Sequence, residues 1–270
     1  MNLTSPSQVK AWCIANDFHP NRTLGQNFLI DRNALVAIVD AGLGAGRAEG
    51  ARVLEVGPGL GVLTEEMLSR GAAVTAVEKD PVLAARLADA LGNPRGLTVV
   101  EGDALDVAAG RGEFAMQPGV FDFMVSNLPY QSSTRILLEL VTRRAVPSMT
   151  VLVQAEVAAR LAAGPGSKTR SLAGVWAQLD YDVRVVRKVS PSCFWPRPEV
   201  GSAVVTLVRH DRNAGLSEEM RAFFRRLTKR AFEHRRKQLG SIFKDMIQSS
   251  ARAEELSNED WLKLVKGLTA

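Results

Sequence analysis

The chain has 270 residues, 46% hydrophobic and 23% charged, with a net charge of +5. That is the make-up of an ordinary globular protein with room for one large core or a large and a small domain, and its basic balance suits a polyanionic partner without requiring one. Two cysteines, Cys13 and Cys193, exclude a disulfide framework, three scattered histidines (His19, His210, His234) make no zinc pattern, and no apolar stretch approaches the ~18 residues of a membrane span. Met1–Ser5 lacks a charged-then-apolar signal pattern, so a cytoplasmic protein is expected.

Short apolar runs at Arg52–Val56, Ala73–Val77, Leu97–Val100, Phe121–Val125, Met149–Val153, Val183–Val189 and Ala203–Val208 read as strands. Helical spacing occupies 61–70, 81–91, 132–144, 155–163 and 171–180 between them. Such alternation predicts a mostly parallel sheet covered on both faces. The last two runs are joined by the Pro-rich stretch Ser190–Val200 with no helix between, so the final strand is expected to be antiparallel. Seven strands ending this way fit a Rossmann-like methyltransferase sheet better than a six-strand dinucleotide fold. Asp211–Gly215 reads as a linker, and only helical spacing follows from Ser217. The division expected is an α/β domain over 1–210 and a small all-helical domain over 211–270.

Asn127-Leu128-Pro129-Tyr130 leaves the fourth strand at its carboxyl end, where open α/β sheets bind ligands. The residue types suit an exocyclic amine on a flat ring. An Asn127 amide oxygen accepts one N–H, Pro129 stiffens the turn so that a neighbouring carbonyl meets the second, and Tyr130 offers a face for stacking. A plain strand-ending turn is the bland alternative.

After the first strand comes Gly57-Pro58-Gly59-Leu60-Gly61 and then a helix. The spacing is not that of the dinucleotide fingerprint, and Pro58 lacks an N–H that a phosphate would use. Glu78 ends the second strand about 20 residues on, where a carboxylate accepts from ribose hydroxyls. Asp103 follows the third strand, placed to accept from an adenine amine. Either acid alone is commonly a solvated strand-end carboxylate; together with the glycine loop they describe a site for S-adenosylmethionine.

These segments, with Leu24-Gly25-Gln26-Asn27-Phe28-Leu29, Glu78-Lys79-Asp80, Gly102-Asp103-Ala104, Phe194–Val200 and Arg235-Arg236-Lys237, make the chain resemble the ribosomal RNA adenine dimethyltransferases of the KsgA/RsmA type along nearly its whole length. The resemblance implies that Asn27 and Leu29 touch the methionine end of S-adenosylmethionine. Gly57, Glu78 and Asp103 would surround the rest, with Gln26, Gly59, Lys79, Ala104 and Asn127 in the same set. It implies that Asn127 and the Leu128–Pro129 backbone hold the target amine and that Tyr130 and Phe194 sandwich the adenine; for Phe194 the competing reading is a core anchor of its loop. The chain departs from the family at Ser126, often Gly there, at Gln131, usually Asn, and at Gly166–Leu172, which lacks a Tyr-Gly-Arg run.

The expected reaction is direct methyl transfer from a sulfonium to adenine N6, twice, on two adjacent adenosines near the 3′ end of 16S ribosomal RNA. The target base must leave its stack to be reached. A monomeric enzyme without metal is expected. Two alternatives stand beside it: an erythromycin-resistance-type enzyme acting on 23S ribosomal RNA, and a non-catalytic nucleic-acid-binding relative. RNA contact is expected on the C-terminal domain from Arg221, Arg225, Arg226, Lys229, Arg230, Arg235, Arg236 and Lys237. On one helix most of these oppose the apolar stripe Met220, Phe223, Phe224, Leu227 and Ala231.

Overall fold

The computed structural model describes the chain apart from residues 22–24, 112–116, 245 and 270, so Leu24 of the first motif lies outside the described residues. The chain divides into two compact units, Met1–Ala158 with Arg184–Val208, and Ala159–Val183 with Arg209–Ala270. The sequence pattern draws one boundary near 210; the structure also assigns Ala159–Val183 to the C-terminal unit. The reason is apolar packing: Val175 and Leu179 share a core with Phe224, Leu227, Leu239, Trp261 and Val265.

In the order of the chain the elements are α1 (Pro6–Ala15), β1 (Phe28–Leu29), α2 (Arg32–Leu43), β2 (Arg52–Val56), α3 (Val62–Ser69), β3 (Ala73–Glu78), α4 (Pro81–Ala90), β4 (Leu97–Glu101), α5 (Ala104–Ala108), β5 (Phe123–Asn127), α6 (Ser133–Arg143) and β6 (Ser148–Gln154). Then come α7 (Ala155–Ala162), α8 (Leu172–Asp180), β7 (Tyr181–Val189), β8 (Phe194–Trp195), β9 (Ser202–Arg209), α9 (Glu218–Glu233), α10 (Leu239–Ile242) and α11 (Asn258–Thr269). A seven-stranded sheet has the order β4-β3-β2-β5-β6-β9-β7. Its β2–β3, β3–β4, β2–β5 and β5–β6 pairs are parallel, and β9 runs antiparallel to β6, as the sequence predicts. The chain winds outward from β2 through β3 to β4, then returns to place β5 on the other side of β2. The crevice at the carboxyl ends of β2 and β5 is therefore the switch point of the sheet.

Local chemistry sets the helix starts. Asp80 accepts from Val82 N and Leu83 N with Pro81 at the first helical position of α4, and Asp31 accepts from Ala34 N at α2. Ser217 caps α9 in the same way, with Glu218 and Glu219 in its first turn and Arg230 in its last. One strand begins later than its apolar run suggests: β5 starts at Phe123, because Asp122 turns away to bind Arg52 Nε and Nη2 at 3.0 and 2.6 Å. The shift makes Asn127 the last residue of the strand. Three helices and a strand pair are absent from the sequence reading: α1, α2, α5, and β1 antiparallel to β8, which sets Leu29 opposite Phe194.

The C-terminal unit is less uniformly helical than its spacing suggests, since Gln238, just before α10, and Arg252, after it, form an isolated antiparallel bridge. The linker expected at Asp211–Gly215 is fastened: Arg212 binds Asp182 at 2.6 Å and Asn213 donates to the Leu179 carbonyl at 2.5 Å.

Candidate active site

A cavity of about 310 Å³ opens at the switch point. Its lining includes all ten residues expected around a cofactor: Gln26, Asn27, Leu29, Gly57, Gly59, Glu78, Lys79, Asp103, Ala104 and Asn127. They come from the segment before β1, the β2–α3 loop, and the ends of β3, β4 and β5. The volume is that of a small-molecule site.

Left-handed backbone favours glycine at two positions of the wall, Gly57 and Gly25. Gly57 has φ +66°, and a Cβ there would lie 3.5 Å from the Pro129 ring; Gly25 has φ +69°, and a Cβ there would lie 3.2 Å from Tyr130 N. Both glycines thus bring their loops against the Asn127–Tyr130 turn. Asn127 Nδ2 donates to the Asn27 carbonyl at 3.1 Å, which ties the turn to the segment before β1. That bond occupies a donor of the amide and leaves Oδ1 in the role of acceptor. Pro129 O accepts from Ser132 N and Ser133 N at 3.1 and 2.9 Å, so the start of α6 uses the Pro129 carbonyl.

The acidic residues are already held in place. Glu78 is buried, with Oε2 accepting from Gly59 N at 3.1 Å and Oε1 from Asp80 N at 2.9 Å. Burial raises its pKa, against the pull of those N–H groups. Asp103 accepts from Leu105 N at 2.8 Å as the cap of α5, and its other oxygen pairs with Lys79 Nζ at 2.8 Å. Burial works to raise the Asp103 carboxyl, but Lys79, the Leu105 N–H and the charge of Arg135 outweigh it and lower its pKa. Asp80 accepts from Gln26 Nε2 at 2.8 Å, fixing Gln26 on the wall.

The turn residues separate. Asn127 and Pro129 reach the cavity, while Leu128 is 1% exposed and packs inward. Tyr130 is half-buried, and its hydroxyl lies 2.6 Å from Ser202 Oγ on β9. Phe194 is not brought to the cavity. It is 2% exposed and packs in the core with Leu29, Leu35, Val53, Leu152 and Val204. The departure at Ser126 has a local cause: its buried hydroxyl accepts from Val56 N at 2.9 Å, locking β5 to β2 beneath the site.

Sequence reasoning missed several lining residues, namely Glu55, Leu105, Ser132, Arg135 and Ile136. Glu55 is an acid inside the apolar strand Arg52–Val56, immediately before the glycine loop, and that misplaced charge is the signal that could have found it. Arg135 and Ile136 sit one turn into α6, a position that follows from the turn ending at Tyr130.

The basic residues of the C-terminal unit fall into two groups. Arg221 is 1% exposed; its Nη1 lies 2.6 Å from both carboxylate oxygens of Asp180, and Nε and Nη2 donate to the Leu216 and Asn213 carbonyls. Arg221 is therefore a structural ion pair and not an RNA contact. Arg235 is half-buried against Glu254 at 2.5 Å and the Lys168 carbonyl. Arg225 is half-buried, whereas Arg226, Lys229, Arg230, Arg236 and Lys237 are exposed. The apolar stripe packs as expected, with Phe224, Leu227 and Ala231 buried and Met220 and Phe223 against the same core. Phe232 also reaches that core, and α9 ends at Glu233, before Arg235–Lys237.

A family model described as ribosomal RNA adenine dimethylase matches residues 17–268. A ribosomal RNA small subunit methyltransferase A of Deinococcus radiodurans is 45% identical over 205 residues, covering 76% of this chain and 67% of that protein. One of Mycobacterium bovis is 39% identical over 290 aligned positions, covering 98% and 88%. Among solved structures, a dimethyladenosine transferase from Plasmodium falciparum superposes with a TM-score of 0.74 at 23% identity, over 89% of this chain and 97% of that one. The 23S rRNA methyltransferase ErmE superposes with a TM-score of 0.69 at 24% identity, over 90% and 100%, and likewise shows the fold alone. With a match over almost every residue and relatives at this identity, the chain belongs to the ribosomal RNA adenine dimethylase family.

Proposed function

We propose that this protein transfers methyl groups from S-adenosylmethionine to N6 of two adjacent adenosines near the 3′ end of 16S ribosomal RNA, forming dimethyladenosine during small-subunit assembly. The observation that carries the reading is the convergence of Asn127, Gly57, Glu78 and Asp103 on one cavity at the switch point. The cofactor fits the wall: an acid at the end of β3 for ribose hydroxyls, an acid at the start of α5 for an adenine amine, and a left-handed glycine loop after β2. When bound, S-adenosylmethionine supplies an electrophilic methyl on a sulfonium.

The chain's own residues do the orienting. Asn127, held through its amide nitrogen, presents Oδ1 to one N–H of the target amine. With the Pro129 carbonyl engaged by α6, the Leu128 carbonyl is the backbone acceptor for the second. These two bonds draw the amine lone pair out of conjugation and aim it at the methyl. Tyr130 supplies a stacking face for the unstacked base, and its hydroxyl is fixed by Ser202. Phe194 supports the site from the core. A monomethylated amine keeps one N–H, so a second transfer in the same site can use one of the two acceptors.

The small-subunit substrate is favoured over the 23S alternative by the relatives at 39–45% identity, both named small subunit methyltransferases. An intact cavity wall speaks against a non-catalytic relative. Among the described residues no cluster of metal-binding side chains occurs, and no helix is long and apolar enough to cross a membrane. We further place the protein in the cytoplasm as a monomer, with exposed basic residues of the C-terminal unit on the RNA. Mass spectrometry of ribosomal RNA from cells with and without this protein tests the reading. Loss of dimethyladenosine from 16S RNA is expected; loss confined to 23S RNA selects the alternative, and no change in either refutes the enzyme.

A further inference from the structure

We infer that Glu55 makes the cavity distinguish the sulfonium cofactor from its neutral thioether product, by holding a proton in the ligand-free and thioether-bound protein and giving it up to solvent when a fixed positive charge enters. This rests on reading the cavity as the S-adenosylmethionine site.

Glu55 is 1% exposed and lines the cavity, yet its partner is a neutral hydroxyl, Thr64 Oγ1 at 2.6 Å. Among the described residues no lysine, arginine or histidine pairs with it, and the charge acting on it is that of a second acid, Glu78. The remaining charged groups are engaged elsewhere. Lys79 is bound to Asp103, Arg135 acts on Asp103, and Asp80 caps α4 and holds Gln26. The cavity wall adds the neutral side chains of Gln26, Asn27 and Asn127, and α3 supplies Thr64. Burial pushes the carboxyl up to about 8, with Glu78 adding to the rise and Thr64 opposing it.

The strand register places this acid near the chemistry. β2 pairs with β5 through Val53 with Phe123 and Leu54 with Met124, so the same register carried on sets Gly57 beside Asn127. Glu55 lies two residues before Gly57, and both line the cavity. The carboxyl thus shares a cavity wall with Asn127, which would orient the target amine. At an effective dielectric near 20, two unit charges several ångströms apart shift an equilibrium by about tenfold or more. The thioether left after transfer has no such charge, and Glu55 takes its proton back, which favours product release.

The test is calorimetric titration of the full chain with S-adenosylmethionine and S-adenosylhomocysteine between pH 6 and 9, in two buffers of different ionisation enthalpy. For the wild type, the ratio of the two affinities should climb about tenfold from pH 6 to above 8, with protons released on binding the sulfonium near pH 7. For Glu55→Gln the ratio should stay lower and lack this climb. The ligands' own amines titrate alike on both proteins, so the difference isolates Glu55. Thr64→Val removes the hydrogen bond that favours the charged form and should move the climb to higher pH; it carries the test if the Gln variant does not fold. Without ligand, the melting temperature of Glu55→Gln should gain on the wild type from pH 5 to 8. A carboxyl raised on folding contributes stability in full below its unfolded value near 4.5 and loses it as pH rises through about 8. Wild-type binding whose pH profile matches that of Glu55→Gln overturns the inference and leaves the cofactor reading intact. Failure of the wild type to bind either ligand overturns both.

Discussion

The two units both bury ionisable side chains and treat them in opposite ways. In the helical unit, Arg221 lies under α9 with a bidentate partner in Asp180 and backbone carbonyls on its other nitrogens. Every strong donor is used, and nothing is left for a ligand. In the sheet unit, Glu55 and Glu78 line a cavity with no side-chain cation paired with either among the described residues, and the groups that hold them are a hydroxyl and backbone N–H groups. A buried charge that is fully paired fixes a fold. A pair of acids left facing space at a switch point is a binding site for something with donors and positive charge. Sequence alone gives both the same letters.

The largest effect should come from breaking the paired charge. Asp180→Ala strands the Arg221 guanidinium in the core and should cost about 3–5 kcal/mol in denaturant unfolding. Replacing both partners, with Arg221→Met and Asp180→Leu, should return most of that stability. A cost below about 1 kcal/mol for Asp180→Ala would return Arg221 to the list of RNA contacts.

Phe194 sharpens the same contrast between packing and recognition. Its core position predicts that Phe194→Ala costs about 3–5 kcal/mol of stability. Phe194→Leu should fold and keep kcat within a few-fold. A Leu variant of native stability with activity reduced a hundredfold would restore the stacking role implied by the family.

Asn127→Ala addresses the acceptor side. Removing the amide oxygen should lower kcat by about 10²–10³-fold, the range for loss of one orienting polar group, while the melting temperature changes little. Cofactor affinity, measured by titration, should fall only a few-fold, because Asn127 is one of many wall residues. A large loss of affinity at unchanged kcat would assign Asn127 to cofactor holding alone.

Much of the fold was legible because strands are short apolar or β-branched runs, and those nearest the switch point stop at polar or glycine residues, β2 before Gly57 and β5 at Asn127. The site was legible for the same reason, since its residues sit at those strand ends. What could not be read is set by distant partners. β1 and β8 are two residues each, and their pairing joins Phe28 to Trp195 across most of the chain. The run Ala34–Ile38 is apolar enough to suit a strand or a helix, and Asp31 capping Ala34 N decides it. The spacing around Arg221 marks it as basic, but Asp180, 41 positions away, makes it structural. Phe194 stands in a family motif, yet Leu29 and Leu35 surround it because β1 pairs with β8.

The smallest effect on stability, and the one most informative about RNA, belongs to the charges that remain after Arg221 and Arg235 are removed from the set. Arg226, Lys229 and Arg230 are exposed on α9, opposite the side that packs on Leu239 and Trp261. Replacing all three with Gln should change stability by little more than 0.5–1 kcal/mol, the main loss being the stacking of Arg226 over Phe223 at 5.6 Å. Each phosphate contact removed lowers the salt slope of binding by roughly 0.7–0.9. Three contacts should therefore reduce the slope by about 2–3 for small ribosomal subunits, with cofactor affinity unchanged. Arg184, Arg187 and Lys188 on β7 are equally exposed and serve as the control for net charge alone. If their replacement flattens the slope as much, attraction to RNA is spread over the protein and α9 has no special place in it. If only the α9 variant responds, that helix lies on the phosphate backbone.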